Sequence, residues 1–208
     1  MCVIVTSPDS KHRPSLATLE ACERTNPHGS GVAWVQHNRV QWLKGLSAAA
    51  IAELLEVIEG PAVVHFRIAS VGGVKAALCH PFPVSPTSPL KPYGQAGTVL
   101  FHNGHWSDWR DFAEEHDIKL AGPVSDTRII AVGVHRLGRK LLRKIPCRFV
   151  MFSKRGVERF GDWSEVEGCY FSNLYWQPKP ILTPKGQLTF LASPRRIDPG
   201  EAMACFAD

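Results

Sequence analysis

The second residue of the chain is a cysteine, directly behind Met1 and at the head of the apolar run Val3-Ile4-Val5. A cysteine is small enough for Met1 to be removed by a methionine aminopeptidase. Cys2 would then carry a thiol and a free α-amine, which titrate near ~8.5 and ~8. Such a residue is a nucleophile with its own base. The plain alternative is a buried cysteine in a first strand. Four histidines, His65, His80, His102 and His105, gather in the middle of the chain. Only His102 and His105 are closely spaced, and they flank a glycine turn, so the spacing points away from a metal site. The six cysteines (2, 22, 79, 147, 169, 205) show no CxxC spacing, which argues against structural zinc and gives only weak reason to expect disulfides.

Four further stretches stand behind Cys2. They are Asn-Pro-His-Gly-Ser-Gly-Val-Ala-Trp at 26–34, His-Phe-Arg-Ile-Ala-Ser-Val-Gly at 65–72 with Cys-His-Pro-Phe at 79–82, Phe-His-Asn-Gly-His at 101–105, and Ser-Asp-Thr at 125–127. In order and spacing this set resembles the class II glutamine amidotransferase domain, one of the N-terminal-nucleophile hydrolases. That family has an N-terminal Cys, N-x-D-G-x-G, H-x-R-x-A-T-x-G, a following H-P, H-N-G, and S-D-[ST]-E. The resemblance runs from Cys2 to about residue 130 and then fades. Each motif alone is unspecific; five in family order carry the inference.

The resemblance implies a division of labour. Cys2 would attack the side-chain amide of glutamine, with its own α-amine as base and later as acid. Asn103 and the Gly104 N–H would form the oxyanion hole. Arg67 would grip the substrate α-carboxylate, for which a guanidinium fork is suited, and Asp126 the α-ammonium, with Ser70 and His102 beside the substrate. No cofactor and no metal is implied. Ammonia would pass to a synthase, expected on a separate subunit because 208 residues leave no room for one here. Several positions depart from the pattern: His28 replaces the acidic residue, Ser70 the threonine, Val71 a common histidine, Leu78 a common asparagine, and Arg128 the glutamate. The nucleophile and oxyanion residues are intact. Hydrolysis of a different amide, or a silent binding or assembly module, are the rival expectations.

The elements that must position these residues are legible in outline. The β-branched run at 2–6 predicts a strand ended by Ser7-Pro8-Asp9-Ser10. Helices are expected at 16–24, at 48–59 behind a Ser47 cap, at 107–116 behind Ser107, and at 126–137 behind Ser125. Strands are expected at 31–36 and 39–43 as a hairpin, then at 62–67, 98–103, 149–153 and 157–160, with 188–191 the best of the tail. Residues 81–97, with five prolines and two glycines, form the longest loop and suit a lid. Strands grouped in hairpins predict an α+β chain with antiparallel sheet. The family resemblance sharpens this to a four-layer αββα sandwich spanning 1–208 as one domain.

Hydrophobic residues make up 44% and charged residues 21%, the balance of an ordinary globular protein. No apolar run approaches the ~18 residues of a membrane span, and no signal peptide is visible, so a cytoplasmic protein without membrane attachment is expected. The net charge of +5 permits an acidic partner. Its densest cluster is the basic segment at 136–148, which reads as a solvated face. Nucleic acid is the sharper alternative, without aromatic interleaving to support it.

Overall fold

The computed structural model describes residues 2–69 and 74–178, and the backbone of two short strands at 180–182 and 188–190. In chain order the first half runs β1 (Val3–Ser7), α1 (Leu16–Thr25), β2 (Ser30–Gln36), β3 (Arg39–Lys44), α2 (Ala48–Val57), β4 (Ala62–Phe66), β5 (Phe82–Pro83), β6 (Tyr93–Ala96) and β7 (Thr98–Asn103). The second half runs α3 (Trp109–Glu115), α4 (Asp126–Leu137), β8 (Arg148–Ser153), β9 (Gly156–Phe160), β10 (Ser164–Val166), β11 (Cys169–Phe171), β12 (Pro180–Leu182) and β13 (Leu188–Phe190).

All five residues of β1 are buried, and the strand sits inside a seven-stranded antiparallel sheet ordered β10-β11-β1-β4-β2-β3-β6. A second antiparallel sheet has the order β5-β7-β8-β9. The two sheets face each other through Ile4, Ala33, Val63 and Trp42 on one side and Val99, Phe101, Val150 and Phe152 on the other. Strand alternation sends the other side chains outward. Val3, Val5, Val64 and Phe66 pack under Leu19 of α1 and under Ile51 and Leu55 of α2. Leu100 and Phe149 pack under Ile130 and Val134 of α4, and α3 joins through Trp109 against Ile129 and Val132. The result is the expected αββα sandwich.

The caps show why the helices start where they do. Ser15, Ser47 and Ser125 each accept a backbone N–H three residues ahead, at 3.2, 3.2 and 3.3 Å. The expectation at Ser107 is corrected: α3 begins at Trp109 behind Asp108, and Ser107 Oγ donates to the Asp108 carboxylate instead. The β2–β3 turn uses His37 and Asn38, both at positive φ, as a two-residue hairpin with the strands' twist requires.

Residues 81–97 are also corrected. They hold β5 and β6, and Arg128 staples their middle to α4. Its guanidinium donates to the carbonyls of Ser88 (2.9 Å), Thr87 (3.2 Å), Ala121 (3.1 Å) and Pro123 (2.6 Å). The arginine that departs from the family's glutamate is thus a buried clamp. In the basic segment, Arg136, Arg139, Lys140, Arg143 and Lys144 are exposed around a 3-10 turn, the arrangement of a solvated face. Among the described residues no helix is long and apolar enough to cross a membrane.

Candidate active site

Register alone brings Cys2 beside Arg67. Val3 pairs with Phe66 across β1 and β4, so the residue before β1 lies opposite the residue after β4. Arg67 is held in place by its own backbone, donating to Gly29 O at 2.7 Å and accepting from His28 N at 2.9 Å. Ile68 follows, and its N–H donates to Cys2 Sγ at 3.3 Å, while Sγ lies 3.4 Å from Ile68 O. Burial pushes the Cys2 thiol pKa up; the Ile68 N–H and the Arg67 guanidinium act in the opposite direction. The resting group is therefore a neutral thiol that needs a base.

The opposite wall comes from β7 and the first turn of α4. His102, on β7, is 3% exposed and stacks on Phe149 with ring centroids 4.8 Å apart. Thr127 is a hub. Its Oγ1 lies 3.0 Å from His102 Nδ1, 3.1 Å from His80 Nε2 and 3.3 Å from Asp126 Oδ1. Asp126 Oδ1 also accepts the Thr127 N–H at 2.7 Å, as suits a carboxylate at a helix N-terminus. Burial pushes His102 down to about 4, against the pull of Asp126. The imidazole is thus neutral near pH 7, and its 3.7 Å approach to Asp126 Oδ2 is a polar contact rather than an ion pair. His65 and His80, with rings 4.1 Å apart, are also driven well below the usual range by burial.

Asn103 ends β7, 1% exposed, and its Nδ2 donates to Ser172 Oγ at 2.8 Å. Gly104 follows at φ +153, where an added Cβ would stand 2.5 Å from Cys147 Sγ, so only glycine fits. Ser172 Oγ also takes the Ile4 N–H at 2.8 Å, and Asn173 Nδ2 donates to the Cys2 carbonyl at 2.7 Å.

The expected residues Cys2, Arg67, Asn103, Gly104, His102 and Asp126 therefore gather at one end of the two facing sheets. Contacts run from His65 through His80 and Thr127 to Asp126 and His102, and from Asn103 through Ser172 back to Ile4 of β1. Ser70 lies outside the described residues, as do Val71 and Met1. His102, expected beside the substrate, bonds the Thr127 hydroxyl through Nδ1. Ser172 and Asn173 were missed because they lie beyond the recognisable motifs. Lys44 was missed too. It is 7% exposed, donates to Ala77 O at 3.1 Å and sits 4.5 Å over the Phe82 ring. No local signal separates it from a surface strand-end lysine. His28, at the family's acidic position, accepts the Ala69 N–H on Nδ1 at 2.9 Å.

Among the described residues no group of three or more His, Cys, Asp or Glu side chains is placed to hold a metal ion. Two surface cavities, of about 830 and 590 Å³, are lined by neither Cys2, Arg67 nor Asp126.

No family model matches the sequence, and no curated protein matches it. Among solved structures, the chain is similar to one described as the structure of the allosteric regulatory enzyme of purine biosynthesis, with a TM-score of 0.56 and 16% identity over 82% of this chain and 41% of that one. At this identity the likeness establishes the fold, and this chain spans less than half the length of its neighbour.

Proposed function

We propose that the protein is a glutamine amidotransferase-type amidohydrolase that splits the side-chain amide of glutamine with Cys2. The observation that carries this reading is the placement of the Cys2 thiol. It heads an inner strand and is seated on the Ile68 amide beside Arg67, and two residues along that strand the Ile4 N–H shares the Ser172 hydroxyl with the Asn103 carboxamide. The shared fold supports the same class of chemistry. One amidotransferase-like domain over 1–208, acting in the cytoplasm and passing ammonia to a synthase on another subunit, is part of the proposal.

With Met1 removed, the Cys2 α-amine takes the thiol proton and Sγ attacks the γ-carbonyl carbon. The carbonyl electrons move onto oxygen, where the Asn103 carboxamide and the Gly104 N–H receive them. One such donor is typically worth about 3 kcal/mol in the transition state. The C–N bond then breaks and the α-ammonium returns its proton to the leaving ammonia. Water attacks the γ-glutamyl thioester, glutamate departs and the thiol is restored. Arg67 pairs with the α-carboxylate, Asp126 with the α-ammonium, and neutral His102 with Thr127 steadies Asp126. Ser70 is assigned a substrate contact as well.

The test joins intact mass to a glutaminase assay. Processed protein should release ammonia from glutamine, and Cys2→Ala should release none. A retained Met1 with no turnover would sink the mechanism. Processed protein that ignores glutamine but cleaves another amide through Cys2 would keep the nucleophile and change the substrate.

A further inference from the structure

We infer that Ser172 and Asn173 form a positioning device for this reaction: the Ser172 hydroxyl aims the Asn103 carboxamide at the oxyanion, and Asn173 fixes the main chain of the nucleophile. The inference rests on the reading of Cys2 as an acyl-transfer nucleophile.

Hydrogen-bond accounting leads to it. Ser172 Oγ lies 2.8 Å from Ile4 N and 2.8 Å from the Asn103 amide nitrogen. Both of those are donors, so the hydroxyl accepts twice, and its own proton finds no acceptor among the described residues. At the same time Asn103 Oδ1 is buried and has no hydrogen-bond partner there. Two defects on one contact have one remedy. The two ends of a carboxamide are nearly isosteric, and a half-turn about its last bond exchanges them. Ser172 then accepts only from Ile4 and donates its proton to Asn103 Oδ1. The NH₂ takes the place that the orphaned oxygen held, with both protons free for an oxyanion. The turn satisfies the hydroxyl and the carboxamide oxygen and leaves the NH₂ as the one group without a partner, which an oxyanion beside it would supply, so we assign the turned amide to the acylating enzyme.

The same loop reaches the nucleophile. Ser172 N donates to Ile4 O at 2.9 Å, and Asn173 Nδ2 donates to Cys2 O at 2.7 Å. Asn173 Oδ1 in turn accepts the Tyr175 N–H at 3.1 Å, which fixes which end of its own amide faces Cys2. Two adjacent residues thus set the spacing between the attacking sulfur and the donor that must meet the developing charge. Ser172 is 2% exposed, so it is a positioning residue that acts through Asn103 and not a substrate contact.

The experiment uses two probes of Cys2. Acylation by p-nitrophenyl acetate passes through a tetrahedral oxyanion whatever the natural amide is. Alkylation by iodoacetamide needs no oxyanion. Ser172→Val should slow acylation about thirtyfold, short of the ~100-fold or more that outright loss of an oxyanion donor costs because Asn103 itself remains, and leave alkylation within twofold. Ser172→Thr, matched in shape and keeping the hydroxyl, should restore acylation and so excludes a folding defect as the cause. In an Asn103→Ala background Ser172→Val should have no further effect, because the two act as one unit. Asn173→Ala should slow both probes together. Equal acylation by the Thr and Val variants, additive losses in the double variant, or a wild type that alkylates but does not acylate would overturn the inference. Because the ester replaces glutamine, absence of glutaminase activity with Ser172-dependent acylation would reject only the substrate in the proposed function.

Discussion

The two walls of the site are built from different materials. On the Cys2–Arg67 wall, main chain holds main chain: the β1–β4 register, the exchange of bonds between Arg67 and the 28–29 backbone, and the Ile68 N–H on sulfur. On the Asp126–His102 wall, side chains hold side chains, with the Thr127 hydroxyl serving His80, His102 and Asp126 at once. A backbone lattice keeps its shape when a neighbouring side chain changes. A side-chain hub fails when one hydroxyl is lost. The attacking group is thus placed by topology, and the group assigned to the substrate ammonium by local chemistry.

The largest expected effect strikes the hub. Thr127→Val keeps the volume and removes the hydroxyl, leaving ring nitrogens of two buried histidines unpaired. Each such loss costs about 1–3 kcal/mol, so a stability loss of about 2–6 kcal/mol in urea titration is expected. Asp126 loses its steadying neighbour, and KM for glutamine should rise tenfold or more, the equivalent of ~1.4 kcal/mol. Iodoacetamide alkylation of Cys2, governed by the other wall, should stay within twofold. A parallel fall in alkylation would show that the walls are not separate.

These materials also decide what could be read from the chain alone. Cys2, Arg67, Asn103, Gly104 and Asp126 stand in short motifs whose neighbours in sequence are their neighbours in space. Ser47 and Ser125 announce their helices because a cap is a three-residue event. The Asn103–Ser172 bond spans 69 residues and the Asn173–Cys2 bond 171, and nothing local marks either end. Residues 81–97 look like an unsupported loop because the clamp that holds them, Arg128, sits on a helix about 40 residues later. Ser107 fails as a cap for a simpler reason: α3 starts at Trp109, so Asp108 and not Ser107 stands at the cap position.

Protonation gives a second, intermediate comparison. On the histidine side, His102 is pushed down to about 4 and His65 and His80 well below normal, all by burial first. An unfolded histidine titrates near ~6.5. As pH falls below that value the unfolded chain binds more protons than the folded one, so stability is lost toward pH 4. Between the walls, burial pushes Lys44 down to about 7, reinforced by Arg128 and Arg67 and opposed by Cys79. An unfolded lysine titrates near ~10.4, so from pH 7 upward the unfolded chain again holds the extra proton and stability rises. Burial sets a limit from the other side, raising Cys79 to about 11 and Cys22 further. Unfolded thiols ionise near ~8.5, so above that pH these cysteines favour unfolding. Thermal melts should therefore peak between about pH 8 and 9. Lys44→Met should flatten the limb between 7 and 8.5 and leave the acid limb unchanged. A wild type whose melting point is level from pH 7 to 8.5 would reject the buried-lysine assignment.

The smallest expected effect tests the backbone wall at its most tempting side chain. His28 stands where the resembling family has an acid, and its Nδ1 accepts the Ala69 N–H. If the wall depended on side chains, His28→Ala would displace Arg67 and ruin substrate binding. Arg67, however, is fixed by the carbonyl of Gly29 and the N–H of residue 28, and both survive the substitution. The half-buried Ala69 N–H loses one acceptor that water can replace, a loss of about 1 kcal/mol. KM for glutamine should therefore move by less than about threefold, equivalent to ~0.6 kcal/mol, with alkylation of Cys2 unchanged. Gly29→Ala makes the contrast on the same wall. Gly29 has φ +112, and its added Cβ would meet Cys79 Sγ at 2.5 Å, so the backbone that holds Arg67 must shift. That variant should lose substrate binding where His28→Ala does not. The reverse order would mean that side chains, not register, place the arginine beside the thiol.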